Sequence, residues 1–303
     1  MDDTTKALGA YARTLGCDVR FGEPMSRHTT FRIGGPADVF VTVNSSAALQ
    51  KLRARAAESG VRVFPLGNGS NLLVSDEGIR GCVAAFGGEF QQIALCGETS
   101  VRCGAGAPLA ALCSFAKRQS LTGLEFAWGI PGSAGGAAFM NAGAYEHCMA
   151  EVISRCDHVE QDGSAGALAG EELRFGYRSS AYTGSGAAIT AVTVRLSRGD
   201  PAAIAAKMDD LFARRKSKQP LELPSAGSVF KRPAGHFAGT LIEQCGLKGR
   251  RVGGAAVSEK HAGFIVNLGG ATCGDVQKLI AVIQETVLRE TGVTLECEVK
   301  TVG

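Results

Sequence analysis

Residues 123–146 read G-L-E-F-A-W-G-I-P-G-S-A-G-G-A-A-F-M-N-A-G-A-Y-E, and the fold turns on what such a stretch can do. It holds the sole tryptophan, Trp128, but is otherwise rich in Gly and Ala and poor in charge. A segment of this composition contributes little by packing large side chains. Glycine instead lets backbone N–H groups approach a ligand with no Cβ in the way, and it reaches positive φ at little steric cost. Successive N–H groups in such turns form a concave nest that suits phosphate. A second run, Gly67-Asn68-Gly69-Ser70-Asn71, offers two more glycines, a hydroxyl and two amides between the strand 61–66 and the apolar Leu72-Leu73-Val74. Taken singly, each run reads equally well as a tight turn.

The whole composition narrows the alternatives. At 303 residues the chain can hold two or three domains with a sizeable core. The 32 Lys and Arg nearly balance the 29 Asp and Glu, so nothing marks a nucleic-acid or membrane surface. No apolar run approaches the roughly 18 residues of a membrane span. The start, M-D-D-T-T-K, lacks the apolar core of a secretory signal, and a cytoplasmic location is expected. The ten cysteines form no C-x-x-C and sit mostly among apolar neighbours, which predicts reduced, buried thiols and no metal site.

Periodicity and punctuation place the elements. A helix is expected within 1–20, a strand at 39–43, a helix at 46–60 with Gly60 as its cap, and a helix opened by Pro108. Gln161-Asp162-Gly163-Ser164 makes a hairpin turn, and 187–196 is a strand apolar on both faces. Asp200-Pro201 starts a helix that ends in the basic run 214–218, and Thr272-x-x-Asp275 caps another that stops at Gly292. The last stretch, 293–300, alternates as a strand. It puts Glu296 and Glu298 on one face about 7 Å apart, a pair suited to acid/base work or simply to an exposed face. No G-x-G-x-x-G opens a helix after a strand, and no P-loop or G-x-S-x-G elbow occurs, so Rossmann, P-loop and α/β-hydrolase sites are excluded.

The run Ile130-Pro131-Gly132-Ser133, then Gly135-Gly136, then Asn141-Ala142-Gly143-Ala144-Tyr145, resembles the signature of the UDP-N-acetylenolpyruvoylglucosamine reductase family. The likeness extends from His28-Thr29-Thr30 through Phe175-Gly176-Tyr177-Arg178-Ser179-Ser180 and Gly227-Ser228-Val229-Phe230-Lys231-Arg232-Pro233 to Leu295-Glu296-Cys297-Glu298-Val299. It implies an α+β chain with a vanillyl-alcohol-oxidase-like FAD-binding fold of two α+β subdomains, plus a smaller α+β substrate-binding domain. The boundaries it suggests are 1–200 for the flavin part, split near 85–100 and rejoined by the strand 291–303, and 201–290 for the substrate part. The segment after Ser180 is short, as in the members that lack an inserted tyrosine loop, so Tyr182 is given no role.

The same resemblance implies function. Non-covalent FAD would lie on Gly67, Asn68, Gly69, Ser70 and Asn71 and on Gly129, Ile130, Pro131, Gly132, Ser133, Gly135, Gly136, Asn141, Ala142 and Gly143, as two halves of a pyrophosphate cradle. NADPH would reduce the flavin, which would then pass hydride to the enolpyruvyl group of UDP-N-acetylglucosamine enolpyruvate, on the route to peptidoglycan. Arg178 and Glu298 would stabilise the enolate, with Glu296 a close rival of Glu298, and Ser228 would donate the proton. Tyr177, Lys218, Arg232 and His261 are expected to touch substrate, and a monomer is expected. The alternatives are another oxidase of this flavin fold, acting on an alcohol or sugar, and a non-catalytic nucleotide-binding relative.

Overall fold

The computed structural model describes all 303 residues. Contacts separate the chain into two compact units: 1–22, 38–68 and 81–214 form the first, and 23–37, 69–80 and 215–303 the second.

The first unit holds two sheets. One has the order Asp18–Pro24, Pro36–Val43, Ile79–Phe86, Val63–Leu66, the last pair parallel. Helices Asp3–Thr14 and Ser46–Glu58 pack Leu8, Ala12, Leu49 and Leu52 into a core with Val39, Val41 and Val43. Both begin where the sequence supplies an oxygen: Asp2 accepts from the Thr5 N–H and Ser45 from the Ala48 N–H. The other sheet runs Ala165–Ala169, Ile153–Val159, Ala188–Arg195, Ser100–Gly104, Ile93–Leu95, antiparallel throughout. Helices Leu109–Arg118 and Ala134–Phe139 share a core with Val101, Cys103, Val192 and Val194 from this sheet.

The helix expected to open the substrate domain, Pro201–Lys218, groups with the first unit as far as Arg214. Ile204 and Met208 enter the first unit's core, Tyr145 donates its hydroxyl to the Leu211 carbonyl at 2.8 Å, and Trp128 meets Phe212 at 6.3 Å between ring centroids.

The second unit is a four-stranded antiparallel sheet, Ser225–Ser228, Phe264–Asn267, Ala255–Val257, Arg251–Val252, with helices Ala238–Gln244 and Cys273–Thr291. The long helix has the expected capping box, with Thr272 and Asp275 each accepting from the other's N–H, and it ends at Gly292 with φ 72°. Asp76 adds a further cap by accepting from the N–H groups of Cys273 (2.7 Å) and Gly274 (3.0 Å).

The segment 293–300 keeps the expected alternation of burial, with Leu295 and Val299 buried and Thr294 and Glu296 exposed, but it is not a continuous strand. Only Lys300–Val302 forms a ladder, parallel to Leu72–Val74, and both members lie in the second unit. The preceding residues bond singly: Lys231 N–H to the Glu296 carbonyl and Glu298 N–H to the Val229 carbonyl.

All ten cysteines are free thiols. Burial pushes Cys82, Cys103, Cys113 and Cys156 up to about 12, while Cys96 is exposed. At pH 8 a thiol reagent should therefore modify Cys96 first and reach those four only on unfolding, as read by mass spectrometry after timed quenching; fast native labelling of Cys103 or Cys113 would contradict the packing. Asp76→Ala should cost about 1–2 kcal/mol through the lost helix cap, measured as a lower midpoint in urea; an unchanged midpoint would mean that Thr272 and Asp275 suffice.

Candidate active site

The first unit carries the 129–143 loop together with Gly67 and Asn68. Ser133 is the N-cap of the helix Ala134–Phe139 and accepts from the Gly136 N–H at 3.2 Å. A Cβ at Gly67 would lie 2.4 Å from that same Ser133 oxygen, so the Gly67 backbone packs directly on the Ser133 side chain at the helix start. The N–H groups of Ala134 and Gly135 donate to the carbonyls of Ala107 and Ala105. A Cβ on Gly135 would meet that of Ala105 at 2.6 Å. Gly135 and Gly136 therefore serve through the side chain they lack, since their N–H groups already have partners in the protein. Gly67, Asn68, Pro131 and Gly136 are exposed, and Gly129, Ile130 and Gly132 half-buried. What the corner offers a dinucleotide such as FAD is therefore close approach to a bare backbone surface, and not the free N–H groups of the helix start.

Asn141 follows with φ 42°, a conformation costly to any residue with a Cβ but least so to Asn and Asp. Its buried amide is held from both ends: Nδ2 donates to the Gly176 carbonyl at 2.9 Å, and Oδ1 accepts from the Ala150 N–H at 2.8 Å. Asn141 thus anchors the Tyr177-Arg178 turn rather than offering its side chain to a ligand. That turn is closed by mutual backbone bonds between Gly176 and Ser179. Arg178, half-buried at φ 54°, places its guanidinium 5.3 Å from the ring centroid of the exposed Tyr177, with a long 3.4 Å contact to the Gly143 carbonyl. A permanently charged, planar fork is thereby held beside the loop that carries Gly143.

The second unit carries Ser228, His261 and Glu298. Ser228 ends its strand opposite Phe264, after Gly227 at φ 75°, and its hydroxyl donates to the Phe230 carbonyl at 3.1 Å. A Cβ on Gly263 would lie 3.0 Å from the His261 ring and 3.5 Å from the Ser228 oxygen, so the three residues meet. Burial holds His261 below the usual histidine range. Its Nδ1 accepts from the Gly263 N–H at 3.1 Å, which leaves Nε2 as the protonated nitrogen of the neutral ring.

Two observations separate the rival glutamates. Glu296 is exposed and paired with Lys231. Glu298 is half-buried, and its backbone is fixed at both groups: the N–H donates to Val229, next to Ser228, and the carbonyl accepts from Asn71 Nδ2 at 3.1 Å. Asn71 also accepts from the Lys300 N–H, so its place in the second unit is to seat the Glu298 segment. Gly69, in the same unit, has φ 60°, and a Cβ there would lie 2.2 Å from the His28 carbonyl. His28 itself bonds Glu23 at 2.9 Å.

Lys218 and Arg232 are exposed. Within the basic run 214–218, Arg215 is buried and donates to the Gln219 side chain at 3.2 Å, which a charge pattern alone does not reveal. Sequence also missed Phe237, exposed beneath the Arg232 guanidinium.

Residues 37–166 match an FAD-binding domain family, and residues 219–302 match the C-terminal domain of UDP-N-acetylenolpyruvoylglucosamine reductase. UDP-N-acetylenolpyruvoylglucosamine reductase 2 of Symbiobacterium thermophilum is 49% identical over 285 residues, covering 94% of this chain and 92% of its own. The Lactococcus lactis reductase is 45% identical over 94% of this chain and 95% of its own. The crystal structure of the Thermus caldophilus reductase superposes with a TM-score of 0.82 at 38% identity, over 95% of this chain and 99% of that one. Glucooligosaccharide oxidase from Acremonium strictum shares the fold alone, at 11% identity and a TM-score of 0.51 over 96% of this chain and 60% of its own. With its flavin-type fold, its FAD-binding domain and relatives matched across nearly their full length, the chain belongs to the UDP-N-acetylenolpyruvoylglucosamine reductase family.

Proposed function

We propose that this protein reduces the enolpyruvyl group of UDP-N-acetylenolpyruvoylglucosamine to give UDP-N-acetylmuramate for peptidoglycan, with FAD held by the 67–71 and 129–143 loops and NADPH as electron donor. The observation that carries the chemistry is the setting of Ser228, beside a half-buried His261 whose Nδ1 accepts a hydrogen bond, and next to the residue that fixes Glu298. Bound FAD supplies the hydride that the methylene carbon of the substrate receives.

The protein's own residues do the rest. Arg178 binds the substrate carboxylate and opposes the negative charge that grows beside it, an interaction strongest where water is excluded. Glu298 shares a proton with that enolate. Ser228 then protonates the carbon next to the carboxylate. Its present bond to the Phe230 carbonyl, at 3.1 Å, is long for a hydroxyl donor, so that proton is readily redirected. A serine is a weak acid in water and donates well only to a strongly basic carbanion. That chemistry matches an enolate and suits no ordinary leaving group.

An absorption spectrum tests the proposal first. Flavin bands should bleach when NADPH is added without air and return when the enolpyruvyl substrate follows. Bands that return only with oxygen would assign the chain to an oxidase, and a protein that takes up no FAD would overturn the cradle. Ser228→Ala should leave flavin reduction by NADPH intact and slow enolpyruvyl reduction by about 10²–10⁴-fold, resolved by stopped flow; both half-reactions slowed alike would remove Ser228 from the proton step. Glu298→Gln should lower turnover by about a hundredfold or more, while Glu296→Gln, which loses only an exposed ion pair, should stay within a few fold. The reverse order of the two would exchange their roles.

A further inference from the structure

The turn that presents Arg178 is tied down on both of its arms, and both ties run to the segment 139–141. On the incoming arm the Gly176 carbonyl accepts from Asn141 Nδ2 at 2.9 Å. On the outgoing arm the Ser180 hydroxyl donates to the Phe139 carbonyl, also at 2.9 Å. Ser180 is only 6% exposed, and its oxygen also accepts from the Tyr182 N–H at 3.3 Å, so the hydroxyl is fixed from two sides. Tyr182 is buried in turn, with its own hydroxyl 2.9 Å from His158 Nδ1. Between the two arms Arg178 holds φ 54°, a conformation that a residue with a Cβ keeps only under such constraint.

Phe139 is the last residue of the helix Ala134–Phe139, and a helix leaves its last carbonyls without partners of its own. At the other end stands Ser133, on which Gly67 packs in the corner assigned to FAD. The six residues between rise about 9 Å. One short helix thus carries the flavin corner at its start and the arginine's turn at its end. Asn141 lies on the 129–143 loop as well, so a change there reaches both. Ser180 meets only the far end of the helix and isolates the second function.

We propose that Ser180 is a positioning residue for the reduction: it holds the Arg178 turn on the end of the helix Ala134–Phe139 and so sets where the guanidinium stands relative to the flavin corner. This rests on the role given above to Arg178. Without the hydroxyl, the Phe139 carbonyl loses its donor and the outgoing arm is free to shift. A displacement on the order of 1 Å is enough to slow a reaction about a hundredfold, and the loss falls on the half-reaction that uses Arg178.

The test compares single and combined variants of the flavin-loaded protein by stopped flow, with FAD affinity measured separately by fluorescence titration of the apoprotein. Ser180→Ala should keep wild-type FAD affinity and flavin reduction by NADPH, and should slow enolpyruvyl reduction about ten- to hundredfold. Ser180→Thr, which retains the hydroxyl, should run within a few fold of wild type; a rate as low as that of alanine would overturn the hydroxyl's role. Arg178→Ala should itself be slow, and adding Ser180→Ala to it should cost nothing further, because a residue that acts through another has no effect once that other is gone. Effects that multiply in the double variant would overturn the proposal, as would weakened FAD binding or both half-reactions slowed alike in Ser180→Ala. If Arg178→Ala is slow and Ser180→Ala runs at the wild-type rate, the positioning assignment alone fails. If Arg178→Ala reduces the substrate at the wild-type rate, the role of Arg178 fails and the positioning of it falls too.

Discussion

The buried amide of Asn141 is the constraint on which the first unit's functional loops depend. It joins its own loop to the 149–151 turn and to the Tyr177-Arg178 turn by two hydrogen bonds, from a backbone at φ 42°. Tyr145, Glu146 and Arg178 also sit at positive φ, so four non-glycine residues in this neighbourhood hold a conformation that costs each about 1–2 kcal/mol. Such strain persists only where the surroundings over-determine it. Here the Gly176–Ser179 bonds, the Tyr145 hydroxyl on Leu211 and the Asn141 amide together hold it.

Rigidity of the same kind governs the glycine loops. Their N–H groups at Ala134, Gly135 and Gly136 are engaged by Ala107, Ala105 and Ser133, so the corner is set before any ligand arrives. A backbone corner already formed avoids the ordering entropy that a flexible loop would lose on binding any ligand. The glycines are needed because neighbouring residues come so close, the Ser133 side chain at Gly67 and Ala105 at Gly135. Glycine-rich composition signals that closeness without saying which atoms approach.

That difference sets how much was legible in the sequence. Local signals carried through: Asp200 caps Ala203 from just before Pro201, Thr272 and Asp275 form their box, and Gly292 takes the left-handed cap, because each depends on residues within a turn of one another. Alternation in 293–300 told which side chains are buried but not whether a ladder forms, since a ladder needs a partner that only the fold supplies. Glu296 and Glu298 share a period-two face, and what tells them apart, the Lys231 partner of Glu296 and the partial burial of Glu298, comes from distant residues. The partners of Asn141 and Asn71 lie 35 and 227 residues away, and those of buried Arg53, the carbonyls of Glu160 and Gly186, are 107 and 133 away. No local pattern reaches them. The site residues themselves came through family motifs, not through periodicity.

The parallel pairing of Lys300–Val302 with Leu72–Val74 also bears on how the protein is made. Closing a loop of this length costs chain entropy before any contact repays it, and such pairings form late. During synthesis the first unit has its whole sequence by residue 214, but the segment 69–80 must wait for residues 298–302 before Asn71 can bond Glu298 and the ladder can form. Until then Leu72, Leu73 and Val74 present an unpaired apolar edge, the kind of surface that chaperones cover and that aggregates when they do not. Glu298 arrives with the segment that closes this edge, so a partly made chain gains its acidic group and loses its sticky strand in one folding step.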